Sequence, residues 1–324
     1  MPSAARRKEP QHAEPPAARP RLVVALGGNA LLRRGQAPNA ATQRENVRDA
    51  VTALAPLARD HALVLTHGNG PQVGLLALER AAGSYPLDVL DAETEGMIGY
   101  LVAQELDNAL SPHARAAALL TQIVVAADDP AFGAPSKPIG PCYPAAEGRA
   151  LATRFGWTML ESADGLRRAV ASPRPLRIVE SSVIELLLAH GVVVVCAGGG
   201  GIPVLERADG TLVGAEAVID KDLASSLLAR ELGAAALLLL TDVDALYADY
   251  GTTRARAWRE VDTATLASHT FATGSMAPKV AACREFIAAG GGFAAIGRLD
   301  AAADILAGRA GTRIVAGSVP DRWW

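Results

Sequence analysis

The sequence predicts an α/β protein, a mainly parallel sheet covered by helices on both faces. Three observations carry this. Short runs that are apolar throughout recur along the chain. Stretches with apolar residues at helical spacing separate most of them. Several of the runs end in glycine-rich turns. Strands that are apolar throughout are buried on both faces, as crossover helices require. The chain has 324 residues and is 50% hydrophobic. That suffices for one large α/β domain or two smaller ones.

The first twenty residues, "MPSAARRKEPQHAEPPAARP", are rich in Pro, Ala and charge and have no apolar segment. They read as a disordered tail and not a signal peptide, so the folded domain spans 21–324. The first apolar run, "RLVVAL", enters Gly27-Gly28-Asn29. That turn is neither G-x-G-x-x-G nor a P-loop, since no Gly-Lys-Ser/Thr follows. "HALVLT" enters His67-Gly68-Asn69-Gly70-Pro71, with Pro71 suited to the first turn of a helix. "TQIVVA" reads as a further strand. From about 128 to 175 the chain is dense in Pro and Gly and loses its periodicity. Such a length predicts a functional lid or small subdomain, and it carries Lys137.

Ser181-Ser182 is placed to open the helix "VIELLLAH" and Gly191 to close it. "VVVVC" then enters Ala197-Gly198-Gly199-Gly200-Gly201. In "AVIDKDLASSLL", Asp220 is the expected N-cap, Lys221 stands between Asp220 and Asp222, and Gly233 ends the helix. "AALLLLT" enters Asp242-Val243-Asp244. In "GSMAPKVAACREFI", Ser275 is the expected cap and Pro278 is tolerated early in the helix. Lys279 falls in the first turns, and Met276, Val280, Cys283 and Ile287 recur at helical spacing. "FAAIG" is the last strand. No repeat of solenoid length occurs.

Composition excludes several functions. A formal net charge of -3 and 4% aromatics argue against a nucleic-acid binder. No apolar run has the length of a membrane span. The three cysteines, Cys142, Cys196 and Cys283, are odd in number and far apart. They form neither a disulfide framework nor a metal motif, and fit free thiols in a reducing cytoplasm.

In open α/β sheets ligands bind beyond the carboxyl ends of the strands. Glycines there let backbone N–H groups approach an anion closely, and a helix N-terminus adds its field. Three such turns favour a polyanionic ligand. Two lysines, Lys221 and Lys279, sit near helix N-termini, where the macrodipole disfavours a cation by roughly 0.3–1 kcal/mol. On that count each should strain the ligand-free fold, and a bound phosphate would remove the conflict. Asp222 can hold Lys221. No general base stands out, since His67 can equally cap or pack. Phosphoryl transfer needs in-line positioning and charge neutralisation above all, and an already anionic oxygen nucleophile needs no base. The set suits formation of an acyl-phosphate-type bond.

The stretches "VVALGGNAL", "THGNGPQVG", "EGMIGY", "SKPIGP", "GGGGIPV", "EAVIDKDLAS", "LTDVDALY" and "GSMAPKV", in order from about Leu22 to Thr312, resemble the carbamate kinase family of the amino-acid kinase superfamily. The resemblance implies an open αβα sandwich, a homodimer and a cytoplasmic, catabolic kinase. It implies a lobe at about 21–215 for carbamate or carbamoyl phosphate and one at about 216–324 for ATP or ADP with Mg²⁺. The 128–175 segment would be a protruding subdomain that closes over the site. Gly27, Gly28 and Asn29 would hold the transferring phosphoryl group, and Gly68, Asn69 and Gly70 the carbamate end. Gly198, Gly199 and Gly200 would complete that phosphate and substrate cradle. Lys137 would reach in from the subdomain, and Lys221, organised by Asp222, would stabilise the transferring group. Lys279 would contact the nucleotide phosphates, with Asp242 and Tyr247 nearby. No metal is expected to bind side chains directly. The chain departs from the family pattern at Thr94-Glu95, where Ser-Gln is usual, and at Cys142, where an aromatic is usual. A site-facing Glu95 would weaken anion binding. A related kinase for another small acid, or a non-catalytic nucleotide sensor, are the alternatives.

Overall fold

The computed structural model describes residues 19–32, 36, 39–79, 85–162, 165–272, 274–317 and 319–324. The predicted tail lies outside these up to position 18, and so does the Asn29 side chain.

The main sheet contains β1 (Arg21–Leu26), β2 (Ala62–His67), β3 (Ala116–Ala118), β9 (Val193–Val195), β12 (Ala236–Thr241), β13 (Tyr247–Ala248), β14 (Arg256–Asp262), β15 (Phe293–Arg298), β16 (Thr312–Val315) and β17 (Arg322–Trp323). Its order is β13-β14-β16-β15-β12-β1-β2-β9-β3, with β17 on β14. From β15 to β3 every pairing is parallel. β16 then runs antiparallel to β15.

Side-chain parity divides the core. Val23, Ala25, Val64, Leu237 and Leu239 face one layer, and Leu22, Val24, Leu63, Leu65, Leu238 and Leu240 face the other. The helices are α1 (Gly28–Leu31), α2 (Ala40–Leu54), α3 (Gly70–Glu79), α4 (Leu87–Leu110), α5 (Ala145–Phe155), α6 (Ser181–Ala189), α7 (Lys221–Glu231), α8 (Thr263–Ala267), α9 (Met276–Ala288) and α10 (Ala302–Leu306). α6, α7 and α9 pack on the first face through Ile184, Leu228 and Phe286. α2, α4 and α10 pack on the second through Val51, Ile98 and Ile305. The result is the expected αβα sandwich. Among the described residues no helix is long and apolar enough to cross a membrane.

Three local expectations are corrected. "TQIVVA" forms β4 (Gln122–Val125) outside the main sheet, in a second sheet with β8 (Pro175–Ile178), β10 (Ile202–Glu206) and β11 (Leu212–Gly214). The strand beside β9 is instead the alanine run β3, recruited by pairing with Val193–Val195. Ser181 is the first residue of α6 and its cap position is Glu180, whose carboxylate accepts from the Gln122 N–H at 2.7 Å. Ser275 occupies the cap position of α9 but makes no side-chain cap bond.

The aperiodic segment contains a folded unit. β5 (Lys137–Tyr143), β7 (Gly165–Val170) and β6 (Thr158–Ser162) form an antiparallel sheet in that order. α5 packs on it, with Gly148 against Leu166. This insert meets the body where Gly74 of α3 faces Gly140. A Cβ on Gly74 would lie 2.0 Å from the Gly140 Cα.

Among the described residues, two bonds hold the chain just ahead of β1. The Arg19 guanidinium donates to the Ala58 carbonyl at 2.6 Å, and the Pro20 carbonyl accepts from the Ala62 N–H at 3.0 Å. A chain begun at Arg21 is therefore expected to lose about 1–2 kcal/mol relative to one begun at Arg19. Thermal unfolding of the two truncations checks this, and equal melting temperatures would refute it.

Candidate active site

Four strand ends lie side by side at one edge of the sheet, because β12, β1, β2 and β9 are adjacent and parallel. They deliver Asp242, Gly27-Gly28, Gly68-Asn69-Gly70 and Gly198–Gly200 to the same rim. Much of the glycine backbone there binds the fold itself. The Gly27 N–H donates to Leu240 O at 3.0 Å, Gly68 to Leu26 O at 3.2 Å, and Gly200 to Ala197 O at 3.2 Å. The Gly198 N–H donates to Glu95 Oε1 at 2.7 Å. These four N–H groups are engaged within the fold, and the glycines let the turns pack against one another. Gly68 lies against Gly28 and the Lys221 stem. Gly199, at φ +71°, lies against the Asn69 amide, and Gly200, at φ +110°, against the Ile219 carbonyl. Gly70 opens α3 and Gly28 opens α1.

The Asn69 side chain is turned inward. Its amide nitrogen donates to Asp91 Oδ1 and Thr94 Oγ1, both at 2.8 Å. His67 is 1% exposed. Burial lowers its pKa to about 4; the hydrogen bond to the Gly68 carbonyl opposes this, and the Lys221 charge adds a smaller downward push. It is therefore neutral at physiological pH, with Nδ1–H donating to Gly68 O at 3.3 Å. Gly198 packs against the other side of the ring. His67 is packed within the fold, and its lowered pKa makes it a weak base.

The charged side chains converge at the mouth of α7. Asp220 caps the helix, its Oδ1 accepting from the N–H groups of Asp222 and Leu223 at 2.9 and 3.3 Å. Its other oxygen accepts from Lys137 Nζ of the insert at 3.0 Å. Asp222 accepts from Lys221 Nζ at 2.7 Å and from Lys279 Nζ at 2.9 Å. Residues from three distant parts of the chain thus form one cluster of three ammonium groups and two carboxylates.

Asp222 is 4% exposed. Burial alone would raise its pKa, but the two ammonium charges outweigh it and hold the carboxyl well below its usual range. Burial lowers the pKa of Lys221 despite Asp222, and for Lys279 the pull of Asp222 overcomes burial and raises it. The conflict between lysine and macrodipole is resolved without a ligand, because Asp222 lies between the two cations. Each ammonium has three donors and gives one to Asp222, so donors remain for an anion.

Beside Lys279 lies a cavity of about 820 Å³, lined by Asp242, Tyr247, Tyr250, Phe271 and Met276 among others. Asp242 and Tyr247 lie in its wall together with Lys279. The aromatic and sulfur wall was not anticipated, nor was Asp220 as the partner of Lys137. The flanking of Lys221 by two aspartates is the one sequence signal that pointed toward Asp220.

Glu95 neither faces the open rim nor points to solvent. It is 2% exposed and accepts from the Gly198 and Thr121 N–H groups at 2.7 and 3.1 Å. Burial pushes its pKa up to about 8 from 4.5; the Thr121 and Gly198 donors oppose this and Glu180 adds to it. Cys196, whose pKa burial raises, the neutral ring of His67, and Asp91, whose pKa burial and Glu95 raise, are also titratable groups near it. The native state holds a proton that the unfolded chain releases above pH 4.5. Stability is therefore lost as pH rises from there to about 8. Glu95→Gln removes this loss, so its melting temperature should rise relative to that of the parent chain between pH 5 and 9 and then level off. A constant difference across that range would refute the assignment.

Comparison with known proteins agrees with this geometry. The family model described as amino acid kinase family matches residues 20–296. A carbamate kinase of Escherichia coli O6:H1 is 52% identical over 298 residues, covering 90% of this chain and 98% of that protein. One from Rhizobium meliloti is 47% identical, covering 94% and 95%. A solved carbamate kinase from Giardia lamblia bound to AMP-PNP superposes with a TM-score of 0.83 at 38% identity, covering 93% of this chain and 99% of that one. With this coverage and identity, the chain belongs to the amino acid kinase family, among its carbamate kinases.

Proposed function

We propose that the protein transfers a phosphoryl group reversibly between ATP and carbamate, giving ADP and carbamoyl phosphate, and runs toward ATP. The carrying observation is the convergence of Lys137, Lys221 and Lys279 on Asp220 and Asp222 at the edge where four parallel strands end. A transferring phosphoryl group gathers negative charge on its equatorial oxygens, and preorganised ammonium donors stabilise that charge. The carbamate oxygen is already anionic, which fits a site whose histidine is buried and neutral.

Lys221 takes the transferring group, with the N-termini at Gly28-Asn29 and Gly70 on either side. Gly68, Asn69 and Gly70 shape the carbamate end through their backbone, and Gly198–Gly200 support it from below. Lys279 bridges the cluster to the nucleotide cavity, where Asp242 and Tyr247 stand. This gives a carbamate lobe at about 21–215 and a nucleotide lobe at about 216–324, with the insert closing over both. The solved relative bound to AMP-PNP supports nucleotide binding. Among the described residues no group of three or more His, Cys, Asp or Glu could hold a metal ion. Magnesium, which keeps waters and takes substrate phosphates, would be carried by the nucleotide and neutralise its phosphates. Exposed Met97, Tyr100 and Leu120 favour a homodimer through α4. Three free thiols suit the cytoplasm.

The deciding experiment is ATP formation from ADP, Mg²⁺ and carbamoyl phosphate, beside acetylglutamate and UMP phosphorylation. Activity with carbamoyl phosphate alone is expected. Turnover confined to either of the other acceptors would redirect the reading, and none with any of the three would favour a sensor.

A further inference from the structure

We propose that Glu95 is a positioning residue, whose carboxyl holds the Gly198–Gly201 turn and thereby sets the placement of the 68–70 turn relative to Lys221. The turn touches every part it would have to align. Gly198 packs on the ring of His67, Gly199 on the amide of Asn69, Gly200 on the carbonyl of Ile219 two residues before Lys221, and Gly201 on Ile123. Ala197, Gly199, Gly200 and Gly201 all have positive φ, which glycine adopts without penalty. The turn closes on itself through Gly200 N–H to Ala197 O at 3.2 Å and Gly201 N–H to Gly198 O at 2.9 Å, and what places it against its neighbours is lateral. Glu95 Oε1 accepts from Gly198 N–H and Oε2 from Thr121 N–H, while Thr121 Oγ1 accepts from the Ala197 N–H at 2.9 Å. One side chain of α4 thus ties both chains that flank the end of β9.

The group works by reach and not by charge. With its pKa raised to about 8, Glu95 is mainly a neutral acid at pH 7; glutamine matches its shape and keeps one oxygen acceptor, while its NH2 cannot accept from the second N–H. Glu95 therefore puts little negative charge beneath an anionic substrate. Asp91, also buried and with its pKa raised by burial, is occupied by Asn69. Glu180, the next charge, is bound to Gln122.

The inference rests on carbamoyl phosphate being the substrate above this turn. The test compares the full chain with Glu95→Gln and Glu95→Asp at pH 7. Glutamine keeps the reach. Aspartate keeps the acid but retracts it by about 1.5 Å, one bond length. Two readouts are taken: hydrogen exchange of peptides covering 196–201, and kcat/KM for carbamoyl phosphate beside KM for ADP. Glu95→Gln keeps an oxygen acceptor for Gly198 and gives up only the acceptor for Thr121, so it should stay within about threefold of the parent chain in both. Glu95→Asp should exchange faster over 196–201 and lose about tenfold or more in kcat/KM for carbamoyl phosphate, the worth of one hydrogen bond, with KM for ADP unchanged. Unchanged exchange in Glu95→Asp would overturn the inference, as would the reverse ranking of the two variants. Faster exchange with unchanged kcat/KM would instead overturn the placement of substrate above the turn, leaving the hold of Glu95 on Gly198 intact.

Discussion

Lys221→Met is expected to turn over at least about 100-fold more slowly than the parent chain, the scale seen when one preorganised donor to a developing charge is removed. Lys279→Met should fall similarly and also lose ADP affinity, because Lys279 lines the cavity proposed for the nucleotide. Both should remain folded but less stable. From sequence alone each lysine opposes a helix macrodipole, so its removal should relieve the fold. The bond of each lysine to Asp222 reverses that sign. Breaking a buried pair outright costs about 3–5 kcal/mol. Here the second ammonium still faces the 4% exposed carboxylate, so the loss should be a fraction of that. Thermal unfolding without ligand, beside steady-state ATP formation, reads both effects. Retained turnover per folded molecule in either variant would make that lysine a structural counterion for Asp222 and nothing more.

This reversal shows where the sequence was legible. The glycine-rich ends of β1, β2 and β9 could be read because each rule involved is local: an apolar run, then residues that tolerate a sharp turn. The N-cap at Asp220 could be read for the same reason. The role of Asp222 between two cations could not, since Lys279 lies 57 positions away. The link from Glu95 to Gly198 spans 103 positions, and nothing in the residues around either one announces it. β3 was missed because three alanines carry no strand signal, and its pairing with Val193–Val195 overrides propensity. In the insert, arginine and proline interrupt the apolar pattern, as at Arg167 and Arg168 of β7. Its strands become recognisable only once Ile139, Leu166 and Ala169 are seen buried together.

Gly74→Ala is expected to act on catalysis indirectly, through the insert. The added Cβ would lie 2.0 Å from the Cα and 2.1 Å from the N of Gly140. Both are backbone atoms that no rotamer change can move. The insert must therefore retreat by on the order of 1 Å, a misplacement that can lower turnover about 100-fold. Lys137 lies three residues before Gly140 on the same strand, and its ammonium meets Asp220 at 3.0 Å. Retreat of the insert carries it out of reach. Stability should fall by about 1–3 kcal/mol, the ordinary cost of overpacking, and ADP affinity should hold, since the nucleotide cavity has no lining residue in the insert. Lys137→Ala should lower turnover to a similar degree without displacing anything. If both act by withdrawing the same ammonium, their effects cannot add, and the double variant should be no slower than the slower single one. Additive losses would mean that Gly74 and Lys137 serve separate steps. Full turnover in Gly74→Ala with a lowered melting temperature would mean that the contact with Gly140 braces the insert without placing Lys137.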